Sequence, residues 1–319
     1  VFKDLPADEI NTKIQERFVP MAQAPQTPQS SEQWITMRDG WVRALQEKVF
    51  RGWPNDREAG PLDIDRVFSA EVDGVRLTAF DFASQPHVRL RLFLLSSADG
   101  TQASRVTLNI LDEAGWTTWL AAMRSKFEKE LSGYTLPEAD PAAFETLREA
   151  ATAGKQVLVS VCPRGIGPDA WSGDERKQIQ IRRRFMLLGQ TADSMRVWDV
   201  RRVIQALRLI ELTAGPPVTV VARGDMAGIA LYASLFELGI GQLDLTELPT
   251  THAQGPTFLN VLRFLDVSQA VALAAERTNV LLRGDSDAAW AFPRSVAAGL
   301  KWDGERFRVE DGRESPPAQ

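Results

Sequence analysis

Val218-Thr219-Val220-Val221-Ala222-Arg223-Gly224-Asp225-Met226-Ala227-Gly228-Ile229-Ala230-Leu231-Tyr232-Ala233-Ser234-Leu235 is the stretch whose reading decides the fold. Val218–Ala222 is an unbroken apolar and β-branched run, the pattern of a strand buried on both faces of a parallel sheet. Gly224-Asp225-Met226-Ala227-Gly228 turns the chain, and Gly228–Leu238 reads as an apolar helix. A strand that bends straight into a helix strains its central residue, and any side chain beside that residue would crowd the neighbouring strand and helix. Glycines relieve the crowding. The spacing of Gly224 and Gly228 centres the turn on Met226.

The composition around this stretch is that of an ordinary globular chain: 319 residues, 44% hydrophobic and 25% charged. That length holds one large α/β domain or two smaller ones. A net charge of −5 argues against a general nucleic-acid binder. No apolar run reaches the length of a membrane span, and no membrane partner is expected. Val1-Phe2-Lys3-Asp4-Leu5-Pro6 carries neither an initiator Met nor the apolar core of a signal peptide, and reads as a processed start or as a piece of a longer chain. The compartment stays undecided, with secretion or the periplasm open after processing. The single cysteine, Cys162, excludes an internal disulfide and a cysteine-based zinc site. Only His87 and His252 could supply an imidazole. Nothing in the pattern calls for a metal or a cofactor.

Residues 1–60 read as a helical N-terminal extension packed on the main domain. Ala7–Met21 is a short amphipathic helix and Ala22–Ser31 a loop. Glu32–Phe50 is a longer helix whose Trp34, Met37, Trp41, Leu45 and Val49 recur at three- and four-residue steps, a core stripe. The main domain spans 61–311. Arg66–Val72 and Val75–Phe82 flank the hairpin signal Asp73-Gly74, and His87–Ser96 alternates. With Arg105–Leu111 these form an antiparallel lead-in. His87, beside a proline at a strand start, reads as a surface residue.

Beyond Leu111 strands and helices alternate. Trp116–Leu131 and Pro141–Ala153 are helices and Gln156–Val161 is a buried strand. An arginine-rich stretch (Arg182-Arg183-Arg184) precedes the helix Ser194–Leu212, which buries Val200, Val203, Ile204, Leu207 and Ile210. After the Val218 strand come strand Gln242–Leu248, a mostly helical Pro256–Ala275, strand Thr278–Leu282, helix Ala288–Leu300 and a short strand Arg306–Val309. Repeated βα units after antiparallel strands predict an α/β fold: a mostly parallel sheet with helices on both faces. Residues 312–319 read as a disordered tail.

The order of these pieces resembles the α/β-hydrolase family, in its acetyl-xylan-esterase and prolyl-oligopeptidase-like branch. The hairpins precede the first long βα unit. Arg164-Gly165-Ile166-Gly167 follows a buried strand as the RGxG turn does in this branch. The helix carrying Asp199 comes just before the Val218 strand, and Gly224–Gly228 resembles the family's Gly-x-nucleophile-x-Gly elbow. The resemblance covers about residues 62–310 and implies the α/β-hydrolase fold and carboxylic-ester hydrolysis.

The catalytic pattern departs at each place the resemblance assigns. The nucleophile position is Met226, whose thioether has no ionisable proton. The acid is implied in the loop after the seventh strand, which makes Asp285 and Asp287 the candidates. A histidine should follow the eighth strand, where Glu310-Asp311-Gly312-Arg313 stands. His252, after the sixth strand, is out of place. The oxyanion region, which carries His-Gly-Gly in many esterases, reads Asp112-Glu113-Ala114-Gly115, with carboxylates where positive dipoles are wanted.

Other constellations are weaker. Asp225 could act as a carboxylate nucleophile only if the turn shifted by one residue. Cys162 reads as a small buried hydrophobe. Asp112 with Glu113, or Asp285 with Asp287, could pair as acids or hold a cation weakly, though loop carboxylates are usually solvated. The arginines at 182–184 and 201–202 could meet a partner's carboxylates or an acidic polysaccharide. The expectation is therefore a non-catalytic, degenerate module with a structural or binding role. Its expected partners are a catalytic esterase domain of the same or a longer chain and a carbohydrate ligand. The alternative is an ester hydrolase acting on acetylated or otherwise esterified carbohydrate with an atypical triad. A serine at 226 alone should create no activity, because triad members act as a unit.

Overall fold

Nine strands form one sheet in the order β1-β2-β3-β5-β4-β6-β7-β8-β9. They are β1 Asp65–Val72, β2 Val75–Gln85, β3 Val88–Ser97, β4 Arg105–Ile110, β5 Gln156–Val161, β6 Val218–Arg223, β7 Ile240–Thr246, β8 Asn279–Arg283 and β9 Phe307–Glu310. The computed structural model describes residues 5–12, 14, 20–23, 25–100, 103–171, 174–284 and 287–310. The antiparallel ladders β1–β2, β2–β3 and β3–β5 form one side of the sheet, and every ladder from β5 through β4 to β9 is parallel. The antiparallel lead-in expected over residues 65–96 therefore lies at one edge. Arg105–Leu111 does not belong to it. β4 inserts between β5 and β6, pairing Val106 with both Val157 and Val218. Its side chains alternate between buried and half-buried, which mimics a hairpin strand in sequence.

The helices are α1 Ser31–Ala44, α2 Glu113–Phe127, α3 Pro141–Thr152, α4 Glu175–Leu187, α5 Ala192–Leu207, α6 Asp225–Ser234, α7 Val267–Ala275 and α8 Ala291–Gly299. The β4-to-β5 crossover steps toward β1 and the later ones step toward β9. Right-handed connections then place their helices on opposite faces. On one side α2 packs with α3. On the other α5, α6, α7 and α8 pack in succession. Side-chain caps fix several helix starts: Asp112 accepts from the Gly115 N–H, and Asp266 pairs reciprocally with Gln269 in a capping box. All five stripe residues expected of the helix before β6 are buried. Pro256–Ala275 is less helical than expected. Only a short turn at Val261–Arg263 precedes α7, because Pro256 and Phe258 instead pack as loop on α6 at Gly228 and Tyr232.

The N-terminal helix packs as its stripe implied. Trp34 is 2% exposed, and its ring meets Trp302 edge-on at 5.6 Å. Trp41 meets Phe292 at 6.1 Å, and Phe50 stacks on Trp53 at 4.2 Å. α1 runs on through a π-helical turn, Leu45–Val49, that buries both its ends. The helix expected over 7–21 is not formed by most of its described residues: among them only residue 14 is helical, while 13 and 15–19 lie outside the described residues. Residues 7, 8, 11 and 12 form turns. The expected tail at 312–319 also lies outside them.

Candidate functional site at the strand ends

The turn after β6 is made by Gly224. Its φ of 56° and ψ of −130° lie where side-chain-bearing residues are strained, and α6 starts at the next residue. The Gly224 N–H donates to the Thr246 carbonyl at 3.0 Å, and its own carbonyl accepts from the Ala227 N–H at 3.0 Å. A nucleophile elbow carries its nucleophile on this strained residue between strand and helix. A Cβ built on Gly224 would meet nothing within 4 Å, so the space over the turn is open.

This corrects the sequence reading by two residues. Met226 is the second residue of α6, 4% exposed and part of the core. Gly228, read as the far end of the elbow, is a glycine for another reason: a Cβ there would stand 2.4 Å from Cδ of Pro256. The useful signal was the end of the apolar run. A strand that ends at Arg223 must turn on the next residue able to take positive φ. Asp225 directly follows the turn. Its carboxylate lies over Gly255, where a Cβ would be 2.5 Å from Oδ1, and burial together with Asp193 raises its pKa against Arg196. Asp193 in turn accepts from the Thr257 N–H and pairs with Arg196 at 2.9 Å.

His252 is a structural histidine. It is 8% exposed, and its two ring nitrogens lie 2.7 Å from the Tyr232 hydroxyl and 2.8 Å from the Pro256 carbonyl. A carbonyl only accepts, so Nδ1–H donates to Pro256 and Nε2 accepts from Tyr232. Burial lowers the His252 pKa and keeps the ring neutral. Asp266 holds the loop, accepting from the His252 N–H at 2.8 Å and from the Thr251 hydroxyl at 2.6 Å. His87 is exposed on the β2–β3 turn in the left-handed region. That turn is at the same end of the sheet, but β3 is three strands from β6, ~14 Å at the usual strand spacing. Asp285 lies outside the described residues, and so does the side chain of Asp287, which opens the turn Asp287–Trp290.

The carboxylates of the oxyanion region are engaged by backbone. Asp112 caps α2 through Gly115 at 2.7 Å, and Glu113 accepts from the Gly167 N–H at 3.3 Å. Gly167, at φ 57°, faces Cys162 and Trp116 closely, and a Cβ would stand 2.6 Å from Sγ. Cys162 is buried and its thiol is pushed well above the ordinary range by burial and by Glu113, Asp169 and Asp112. Asp169, which the sequence did not single out, has its pKa pushed up to about 6 by burial and by Asp199. Among the described residues no cluster of His, Cys, Asp and Glu is placed to hold a metal ion.

The RGxG turn and the Asp199 helix are joined by a buried pair. Arg164 Nη2 and Nε reach Asp199 Oδ1 and Oδ2 at 2.6 and 2.8 Å. The arginines at 201–202 are engaged within the chain. Arg201 pairs with Glu237 at 3.0 Å and lies 4.7 Å over the Trp53 ring, and Arg202 is buried and donates to the Gly60 carbonyl at 2.9 Å. Beside the elbow a cavity of about 350 Å³ opens between the ends of β7 and β8, lined among others by Glu247, Thr250, Gln254 and Trp290.

No protein-family model matches the sequence. No curated protein matches it either. Solved structures do match in shape. A Bacteroides fragilis protein assigned as an acetyl xylan esterase superposes with a TM-score of 0.70 at 13% identity, over 98% of this chain and 85% of that one. A glucuronoyl esterase from Solibacter usitatus gives 0.62 at 14% identity, over 90% and 87%. Acetyl xylan esterase 1 from Thermoanaerobacterium sp. gives 0.50 at 12% identity, over 97% and 90%. With its strand order and strand–turn–helix elbow, the chain has the α/β-hydrolase fold in the form shared by acetyl xylan esterases and glucuronoyl esterases.

Proposed function

We propose that this is a non-catalytic α/β-hydrolase module with a binding or structural role, working beside an esterase-type domain. The observation that carries the reading is Gly224 on the strained turn: the position built to present a nucleophile has no side chain. Ester hydrolysis by this fold also needs a base within hydrogen-bond reach. Both nitrogens of His252 are occupied by Tyr232 and Pro256, and His87 is strands away. The ligand we assign is acetylated or otherwise esterified carbohydrate, bound without turnover. The site this reading takes is the cavity lined among others by Glu247, Thr250, Gln254, Arg283 and Trp290, polar residues beside a tryptophan, a mixture suited to sugars.

Calorimetric titration with acetylated xylo-oligosaccharides, alongside p-nitrophenyl acetate turnover, tests this. Saturable sugar binding with turnover at the uncatalysed background supports it. Turnover that saturates overturns it and assigns the chain to carboxylic-ester hydrolysis through an atypical triad.

A further inference from the structure

Helix α4 stands apart from the other long helices. None of its residues is buried. It is held to the body by the Gln178 amide donating to the Trp171 carbonyl at 2.7 Å and by Phe185 stacked on Trp171 at 5.8 Å. At 100° per residue Gln178, Ile181 and Phe185 share the inner face. Arg176, Ile179, Arg183, Met186 and Leu187 then point outward. Leu187 is 86% exposed, the following Leu188 74% and Met186 45%.

The same helix carries Arg176, Lys177, Arg182, Arg183 and Arg184 against one carboxylate, Glu175, in a chain of net charge −5. Neighbouring segments pair their arginines, as in Arg164–Asp199 and Arg196–Asp193. Among the described residues none of these five cations has such a partner. Arg51 adds to the patch, its guanidinium lying against Gly189 just past the helix.

We propose that the outward face of α4 is a docking surface for a protein partner that presents carboxylates beside aliphatic side chains. Four of the five cations are arginine, and they are interleaved with Ile, Met and Leu. This is the composition of protein–protein interface cores, where Arg and Met are enriched and Lys is depleted. Exposed aliphatics grouped at one helix end mark a contact surface. An acidic polysaccharide offers nothing apolar to Leu187 and Leu188. An anionic bilayer would repel the rest of the molecule, which is more acidic than the chain as a whole. The surface stands independently of the reading of the elbow.

The test uses the intact chain and a fluorescein-labelled amphipathic peptide with glutamates and leucines on adjoining helical faces, followed by anisotropy at low and high salt. An all-glutamate peptide, polygalacturonate and phosphatidylserine vesicles run in parallel. The proposal expects the amphipathic peptide to bind, more weakly in high salt. Its affinity should fall at least about tenfold both in Arg182→Ser/Arg183→Ser/Arg184→Ser and in Leu187→Ser/Leu188→Ser, with melting temperatures unchanged. No binding of that peptide, undiminished binding by the variants, or a preference for the all-glutamate peptide, vesicles or polygalacturonate overturns it.

Discussion

The Arg164 guanidinium grips the Asp199 carboxylate in a two-pronged pair that is almost wholly buried, with side-chain exposures of 8% and 1%. The carboxylate is fully occupied: the Arg164 N–H reaches Oδ2 at 3.0 Å and the Ser84 hydroxyl reaches Oδ1 at 2.6 Å. One interaction thus ties the turn after β5 to α5 and to the end of β2. Removing one partner strands a buried charge, at a cost of about 3–5 kcal/mol. Asp199→Leu and Arg164→Met should each lower the urea midpoint accordingly. Arg164→Met/Asp199→Leu should cost far less than the two single losses together. Additive losses in this cycle would mean the pair does not act as a unit.

Gly228 and Pro256 are the contact that seats the loop after β7 on α6. The proline ring cannot swing away, so a methyl 2.4 Å from Cδ must displace backbone. Gly228→Ala should destabilise by about 1–3 kcal/mol despite the helix propensity it gains. The displaced Pro256 carbonyl would also loosen His252, visible as faster exchange of the imidazole proton by NMR. A neutral or stabilising Gly228→Ala would contradict the packing.

Asp169 supplies a pH-dependent prediction. Its folded-state pKa of about 6 lies above the ordinary carboxylate range because the carboxyl is half-buried beside Asp199. The folded protein therefore holds this proton more tightly than the unfolded chain does. Stability is lost as pH rises from about 4 through about 6, and the full penalty persists above that. Asp169→Asn removes the titration. It should raise stability near neutral pH by about 1–2 kcal/mol, discounted for partial exposure, and give no gain at about pH 4. A gain that is constant across pH would place the effect in packing.

The strand–turn–helix around β6 was legible because a central strand with no exposed residue before Arg223 leaves an unbroken apolar run. The centre of its turn was not, because two glycines four apart fitted the elbow spacing, and only the contact with Pro256, distant in sequence, explains the second. The place of β4 was misjudged because alternation in half-buried side chains looks the same in parallel and antiparallel ladders. Asp199 was visible as a helix residue near the elbow. Its partner Arg164 lies 35 residues away, and nothing local announces the pair. The scarcity of histidine was plain, but the neutral, doubly bonded state of His252 depends on Tyr232 and Pro256 closing over it. Met226 shows the same limit from the other side: its burial follows from the helix starting at Asp225.

The absence of a working nucleophile and base at the elbow is tested most directly by fluorophosphonate labelling, read by intact-mass spectrometry, of the wild-type chain and of Gly224→Ser. The open space over Gly224 lets the new hydroxyl stand where a nucleophile would, so the variant restores that one part of a unit whose contributions are strongly non-additive. The account predicts no adduct on the wild type and at most trace labelling of Gly224→Ser, because no described imidazole reaches the new hydroxyl. Stoichiometric labelling of the wild type, or rapid stoichiometric labelling of Gly224→Ser, would contradict it.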